Sequence, residues 1–426
     1  MKKQVLFMLT ALFAFASCSD DVNVEPLKER VDIPLTTEED NMVDDVYYKF
    51  GMKVFRSLMD QSADENIIFS PTSLFLATSI AANGADSDTR REILNVLGCS
   101  DKDVDEINSL NKKVIENFRT LDNSTNISVA SSVWYSDMDG EPKSTIKDVL
   151  REYYEAPFTG VDDLSSADAV KLINDWCNLN THGEIPSLIP SITPSDSHDS
   201  GSLILANALY FKGQWKDKFD AKLTTDKEFY SESKGVKSVP TMKNPKISVI
   251  GYGTDSYTAV SLPYGNKAFS MLIILPDEGH DLKECFVEEE YEKLRSLAKE
   301  KLSIFLNYNG AQKALNLEMP KFVLNTNIDL TNTLKSLGIN KVFDKDQADF
   351  SNFFETANLV LGSMKQISKI MVDETGTTAA SVTHGKGDMA SNFQEIEDFI
   401  VNRPFAIMIV EKSTGIPLFI GKISNL

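Results

Sequence analysis

The chain has 426 residues and a formal net charge of −20, from 43 basic and 63 acidic side chains. That balance argues against nucleic acid or anionic lipid as the main ligand, because both are held by clustered basic residues. At 42% hydrophobic and 25% charged residues, the composition is that of a folded chain with a large core, in one large or two medium domains. The four cysteines, Cys18, Cys99, Cys177 and Cys285, are too scattered for a disulfide scaffold, and free thiols are expected. No CxxC or HExxH spacing offers a metal site, so neither metal nor other cofactor is expected.

The N-terminus reads MKKQVLFMLTALFAFASC. Lys2 and Lys3 precede an apolar run over 5–16, which is 12 residues long. A bilayer span takes about 20 residues, so the run reads as a secretory signal peptide over 1–17. Ala16 and Ser17 before Cys18 resemble the lipobox of bacterial lipoproteins, with Phe15 where Leu is usual. That resemblance implies acylation of Cys18 and export to the outer membrane or cell surface of a Gram-negative bacterium. Ser19-Asp20-Asp21 is similar to the acidic export signal of surface lipoproteins in Bacteroides-like bacteria. Residues 18–40, acidic and containing Pro26 and Pro34, read as a flexible tether. Membrane contact would then be by the lipid alone.

From residue 41 the pattern is that of a folded domain running to 426. Val46, Phe50, Val54 and Leu58 recur every four residues, as on one helix face. Ser70-Pro71 starts a second, buried helix, with a hydroxyl cap and proline at the first position, and Gly84 reads as its left-handed cap. Thr89-x-x-Glu92 reads as a capping box before Ile93, Leu94 and Leu97. Strand-like runs come next at 202–211, 258–264, 269–276, 315–324 and 367–372, with a helix over Leu330, Leu334 and Leu337. Residues 405–423 read as two apolar strands around a turn at Gly415. Helices first and strands later, without βαβ alternation, indicate an α+β fold.

Enzyme signatures fail. There is no GxSxG elbow and no GxxxxGK[ST] loop. Gly251-Tyr252-Gly253 reads as a turn, and Asp101–Asp105 as a solvated acidic loop. The unusual stretch is 373–398, DETGTTAASVTHGKGDMASNFQEIED, 26 residues between two strand-like runs. Loops of that length are functional or disordered. Residues 376–383 are only Gly, Ala, Ser, Thr and Val. Such residues suit a segment that must later enter a sheet. As a strand, Thr377, Ala379, Ser381 and Thr383 would share one face, with Gly376 as a permissive hinge.

Over about 44–426 the chain resembles the serpins. The motifs that carry the resemblance occur in order: NIIFSPTSL at 66–74, INDWCNLNTHGEI at 173–185, LANALYFKGQWKDKFD at 205–220, MPKF at 319–322, VDETGTTAA at 372–380, and the C-terminal segment through Asn402-Arg403-Pro404-Phe405. The resemblance implies a five-stranded main sheet, two smaller sheets, eight or nine helices and an exposed reactive loop over about 374–398. It implies a metastable inhibitor that forms an acyl-enzyme with its target serine protease and then inserts its cleaved loop into the main sheet. Glu374, Gly376, Thr377, Ala379, Ala380 and the small Ser381 match the inhibitory hinge, while Thr378 stands where many members carry Glu. Family spacing places the reactive bond sixteen residues after Glu374, at Ala390–Ser391. Met389–Ala390, a bond near Phe393 and cleavage after Lys386 are the alternatives. Sixteen strand residues span about 53 Å, and cleavage after Lys386 would shorten that by about 13 Å. Ser70, Ser73 and Asn207 correspond to the family's "shutter", where strands part. Gln366 stands in place of a frequent histidine, and Trp215 matches the tryptophan at the loop's entry point.

The expected activity is therefore suicide inhibition of serine proteases, with Ala390 suiting an elastase-like pocket, and with cysteine proteases as further targets. The protein is expected to be a monomer and not an enzyme. The alternative is a serpin fold without inhibition, used as a binding or chaperone-like module.

Overall fold

The computed structural model describes residues 26–62, 64–188, 202–301, 314–355, 359–362, 364–377 and 396–426. Cys18 and the signal segment lie outside them. The described residues form nine α-helices and three sheets, an α+β fold. The six-stranded sheet, ordered Ile67–Phe69, Pro417–Ile423, Phe405–Glu411, Phe269–Pro276, Tyr257–Pro263 and Ile250–Gly253, is almost wholly apolar and buried at its centre. Gly251 and Gly253 therefore sit in a paired strand and not in a turn. A four-stranded sheet contains Ile396–Ile400, the strand that comes after the reactive-loop segment.

The main sheet runs Phe322–Asp329, Lys365–Val372, Ser202–Gln214, Thr125–Ser136 and Phe158–Val161, with two two-residue strands added. One, Gly376–Thr377, lies between Lys365–Val372 and Ser202–Gln214. The other, Val360–Leu361, pairs with the start of Ser202–Gln214. The expected strand over 315–324 is two strands in two different sheets. Pro320 ends the first, and the Lys321 N–H makes a last bond to the Pro240 carbonyl of that strand's partner before the second begins at Phe322.

The sheet is covered on both faces. Leu203, Leu205, Leu209 and Phe211 of Ser202–Gln214 join the main core beside the central helix Pro71–Gly84. The alternate residues Ile204, Ala206 and Ala208 face a second cluster with the outer helix Ala167–Asn180, through Ala169, Ile173 and Cys177. The small Ala206 and Ala208 let that helix lie close. Cys99, Cys177 and Cys285 are free and buried, and burial pushes the Cys177 thiol up to about 11.

Several local readings change for packing reasons. Gly84 is the last helical residue without positive φ, and a Cβ there would run into the Phe353 ring. It is small for packing, not for a cap. Helix Ser87–Leu97 is capped by Asp86, so Thr89 is its third residue. The Thr89 hydroxyl instead accepts from Asp349 N, and Glu92 accepts from Asn340 N and Lys341 N. Asp103, expected in a loop, caps helix Val104–Phe118.

The tether expected over 18–40 shortens from its C-terminal side. Helix Thr37–Val43 begins with a capping box from Thr36 and Glu39. Before it, Lys28 N donates to Asn123 Oδ1, Ile33 N donates to Ser413 Oγ, and Ile33 is 5% exposed. Charge fixes the segment further: Arg30 pairs with Glu300, and Asp40 with Lys299 and Arg295. Ile33→Ala should lower unfolding stability by about 2 kcal/mol, as for other buried aliphatic truncations. Denaturant titration checks this; an unchanged midpoint would return 26–36 to the tether.

Candidate functional site

The site is the seam between Ser202–Gln214 and Lys365–Val372. These strands are parallel, since each is antiparallel to Gly376–Thr377. Among the described residues no ladder pairs them directly with each other. They are joined at one end by the hinge and near the middle by the start of the central helix.

The middle attachment has two separate halves. Ser70 caps the central helix through its side chain, which accepts from Ser73 N at 3.0 Å. Its backbone is gripped by Gln366 of Lys365–Val372: Ser70 N donates to Gln366 Oε1 at 2.6 Å, and Gln366 Nε2 donates to Ser70 O at 3.1 Å. One helical turn on, Ser73 Oγ donates to Asn207 Oδ1, and Asn207 Nδ2 donates to Ser131 Oγ at 2.7 Å. Each half of the seam thus binds the helix start. All five groups are buried, so each bond is costly to leave unmade. A small gap of about 10 Å³ lies here, lined by Ser73, Ala77, Leu205, Asn207, Met364 and Gln366.

At the other end the hinge enters. Trp215 Nε1 donates to Asp373 O at 2.8 Å, and Trp215 N donates to Thr375 O at 2.9 Å. The indole stacks on Tyr264, with centroids 4.6 Å apart and planes at 10°. Tyr264 OH then meets Thr377 Oγ1 at 2.7 Å, fully buried. Burial pushes the Tyr264 phenol far up, so it keeps its proton. Glu374 accepts from Thr224 Oγ1 at 2.7 Å and pairs with Lys321 at 2.8 Å. Burial would raise the Glu374 carboxyl, but Lys321 and Thr224 outweigh it and hold it below the ordinary carboxylate range. Gly376 has φ +150°, and a Cβ there would run into the Gly213 carbonyl. Only glycine fits between the strands at that point.

The structure thus brings together Ser70, Ser73, Asn207 and Gln366 at the middle, and Trp215, Glu374, Gly376 and Thr377 at the end. Thr378, Ala379, Ala380, Ser381, Lys386, Met389, Ala390, Ser391 and Phe393 lie outside the described residues. Tyr264, Thr224, Lys321, Asp373 and Ser131 were not foreseen. Lys321 could have been, because it is the cation within MPKF. Tyr264, Thr224 and Asp373 lie beside strand ends and Ser131 lies in mid-strand, with no local signal.

A family model described as Serpin (serine protease inhibitor) matches residues 45–426. The chain is similar to Serpin-ZX of Arabidopsis thaliana, 30% identical over 85% of this chain and 92% of that one. It is also similar to leukocyte elastase inhibitor A of Mus musculus, 30% identical over 88% and 97%. Among solved structures it resembles native tengpin, a thermophilic serpin, with a TM-score of 0.80 at 25% identity over 94% and 97% of the two chains.

Two outcomes test this geometry. Gln366→Ala removes the acceptor of the buried Ser70 N–H and should cost about 1–3 kcal/mol in denaturant unfolding. The depressed Glu374 carboxyl contributes stability that is present above its unfolded pKa and lost as pH falls through its folded pKa. Stability of the wild type should therefore fall more steeply below about pH 4.5 than that of Glu374→Gln. Parallel pH profiles would remove Glu374 from the hinge.

Proposed function

Because the chain belongs to the serpin family, we propose that it is a suicide inhibitor of serine proteases with an elastase-like preference. It acts as a monomer, and Cys18 acylation holds it at the outer face of a Gram-negative cell. The reactive bond is Ala390–Ser391. The protease serine Oγ attacks the Ala390 carbonyl carbon, an ester forms, and the amide bond breaks with the proton passing to the new Ser391 amine. The cleaved loop then enters the main sheet with the protease attached.

The observation that carries this reading is the register of the hinge. Gly376 pairs with Gln214 and Thr377 with Gly213, while Thr377 also pairs with Val372. Continued down the seam, Ala379 would come between Phe211 and Ile370, Ser381 between Leu209 and Ser368, and Thr383 between Asn207 and Gln366. Ala379 meets two apolar residues, Ser381 meets Leu209 and the small Ser368, and the threonine hydroxyl meets the two polar side chains. On the outer face Val382 would join Ala208 and Ile367. Asp388 would reach Ser202, the first of the 13 residues of that strand, once the Val360–Leu361 pair that holds this edge gives way. Cleavage after Ala390 then puts the ester just past the strand end, whereas cleavage after Lys386 would keep it inside the sheet. That supports the longer reach. Hydrogen bonds net about 1 kcal/mol each, so a strand bonded on both edges releases on the order of 10 kcal/mol. The 30% identity to a leukocyte elastase inhibitor supports the choice of target class.

Mixing the mature protein with pancreatic elastase should give a complex that survives SDS, and Thr377→Arg should turn the inhibitor into a substrate. A 1:1 complex with the Thr377→Arg variant would contradict insertion. Loop cleavage without any complex would favour the binding-module alternative.

A further inference from the structure

The four-stranded sheet carries a cleft that neither the seam nor the hinge uses. Its order is Ile396–Ile400, Ala314–Pro320, Gly235–Ser248 and Thr225–Ser231, so the first and last strands stand at opposite edges. The sheet nevertheless curls until the chain that leaves one edge meets the other. Val401 N donates to Glu318 O at 2.9 Å, and Asn402 O then accepts from Tyr230 N at 2.8 Å. A cleft of about 430 Å³ opens beside this crossing. Small-molecule sites span about 300–1,000 Å³.

Alternation decides which side chains line it. Lys227 is paired with Val239, and Glu318 with both Lys243 and Ile400, and directly paired residues share a face. Phe229 and Thr241 stand two residues along their strands, on that same face. Phe229, Val239 and Thr241 are buried, with Phe229 against the Phe405 ring, and Ile400 forms an exposed rim. Asp226 and Glu228 fall on the opposite face, where Glu228 accepts from Tyr230 OH. The charges facing the cleft are therefore Glu318, Lys243 and Lys227. The Glu318 side chain is 8% exposed and accepts from Lys243 Nζ at 2.9 Å. Lys227 Nζ lies 3.9 Å from its other oxygen, too far for a hydrogen bond. One carboxylate between two ammonium groups leaves one positive charge in excess. Among the described residues the Lys227 ammonium makes no hydrogen bond, and Asn402 Nδ2, also at the cleft, donates to none.

We propose that this cleft binds a small monocarboxylate with an apolar body, an alkyl or aryl acid. The carboxylate takes the unspent donors of Lys227 and Asn402, and the apolar body lies on Phe229, Val239 and Ile400. An amine is disfavoured, because the one carboxylate facing the cleft is already bonded to Lys243 and stands beside Lys227. The proposal goes beyond the inhibitory reading and does not depend on it. Ile400 ends the strand that follows the reactive-loop segment, so a bound acid would tie the end of that strand to Thr225–Ser231 across the cleft.

The test uses the full chain without protease, titrated calorimetrically with octanoate, 4-phenylbutyrate and octylamine. Saturable one-to-one binding of octanoate or phenylbutyrate is expected, and the tighter of the two tells whether the body is alkyl or aryl. Lys227 is half-exposed, so Lys227→Met, which keeps the apolar stem, should fold and weaken binding about fivefold. Lys227→Arg should keep the affinity within about twofold of wild type. Ile400→Ser removes the apolar rim and should weaken binding about tenfold. Octanoate should also slow hydrogen exchange severalfold at 396–402 and at Thr225–Ser231 in the wild type, and much less in Ile400→Ser. The proposal is overturned if neither acid binds saturably, if octylamine binds as tightly as octanoate, or if Lys227→Met and Ile400→Ser both bind with wild-type affinity.

Discussion

Two long parallel strands that lie side by side, with no ladder between them among the described residues, are the constraint on which the molecule depends. A sheet normally closes such a seam with backbone bonds of its own. Here closure is delegated to side chains of the two strands that reach other elements: Gln366 to Ser70, and Asn207 to Ser73 and Ser131. Side-chain attachments of this kind can be exchanged one by one, whereas a ladder must be broken along its length. On the proposed inhibitory reading, the large free energy of completing the sheet is kept available while the closed form is held by a few local bonds.

The hinge shows how that reserve is primed. Glu374, Gly376 and Thr377 are already seated, with the Thr377 hydroxyl on Tyr264 and the Thr377 backbone paired on both sides. Nucleating a strand is the slow part, because conformational freedom is lost before bonds are gained. A seated hinge removes that step and fixes the register for the rest of the loop. Glycine at 376 is required by the approach of the Gly213 carbonyl, and the stacked Trp215 and Tyr264 hold the entry open at the right width.

The elements were largely legible because their signals are local. Ser70-Pro71 announced the central helix, and alternation announced Lys365–Val372, whose exposure alternates residue by residue. The hinge was legible from its run of small residues and from the family resemblance together. What the sequence hid was long-range. Tyr264 and Thr377 are 113 residues apart, and Ser70 and Gln366 are 296 apart. Nothing near Glu374 told that Lys321 and Thr224 would bracket it. Local rules also misled where packing overrode them: Gly84 is small because of Phe353, and residues 26–40 are acidic and proline-bearing yet docked. Composition sees solvent preference; it does not see Ser413 or Lys299 waiting across the fold.

On the proposed reading the seam holds back a large free energy, which must be released once the cleaved loop enters. Calorimetry of the intact chain against the chain nicked within 386–393 tests this most directly. On the order of 10 kcal/mol, spread over a domain of this size, should raise the melting temperature of the nicked form by about 10 °C or more. A nicked form that melts at or below the intact one would contradict it, because the seam would then hold nothing in reserve.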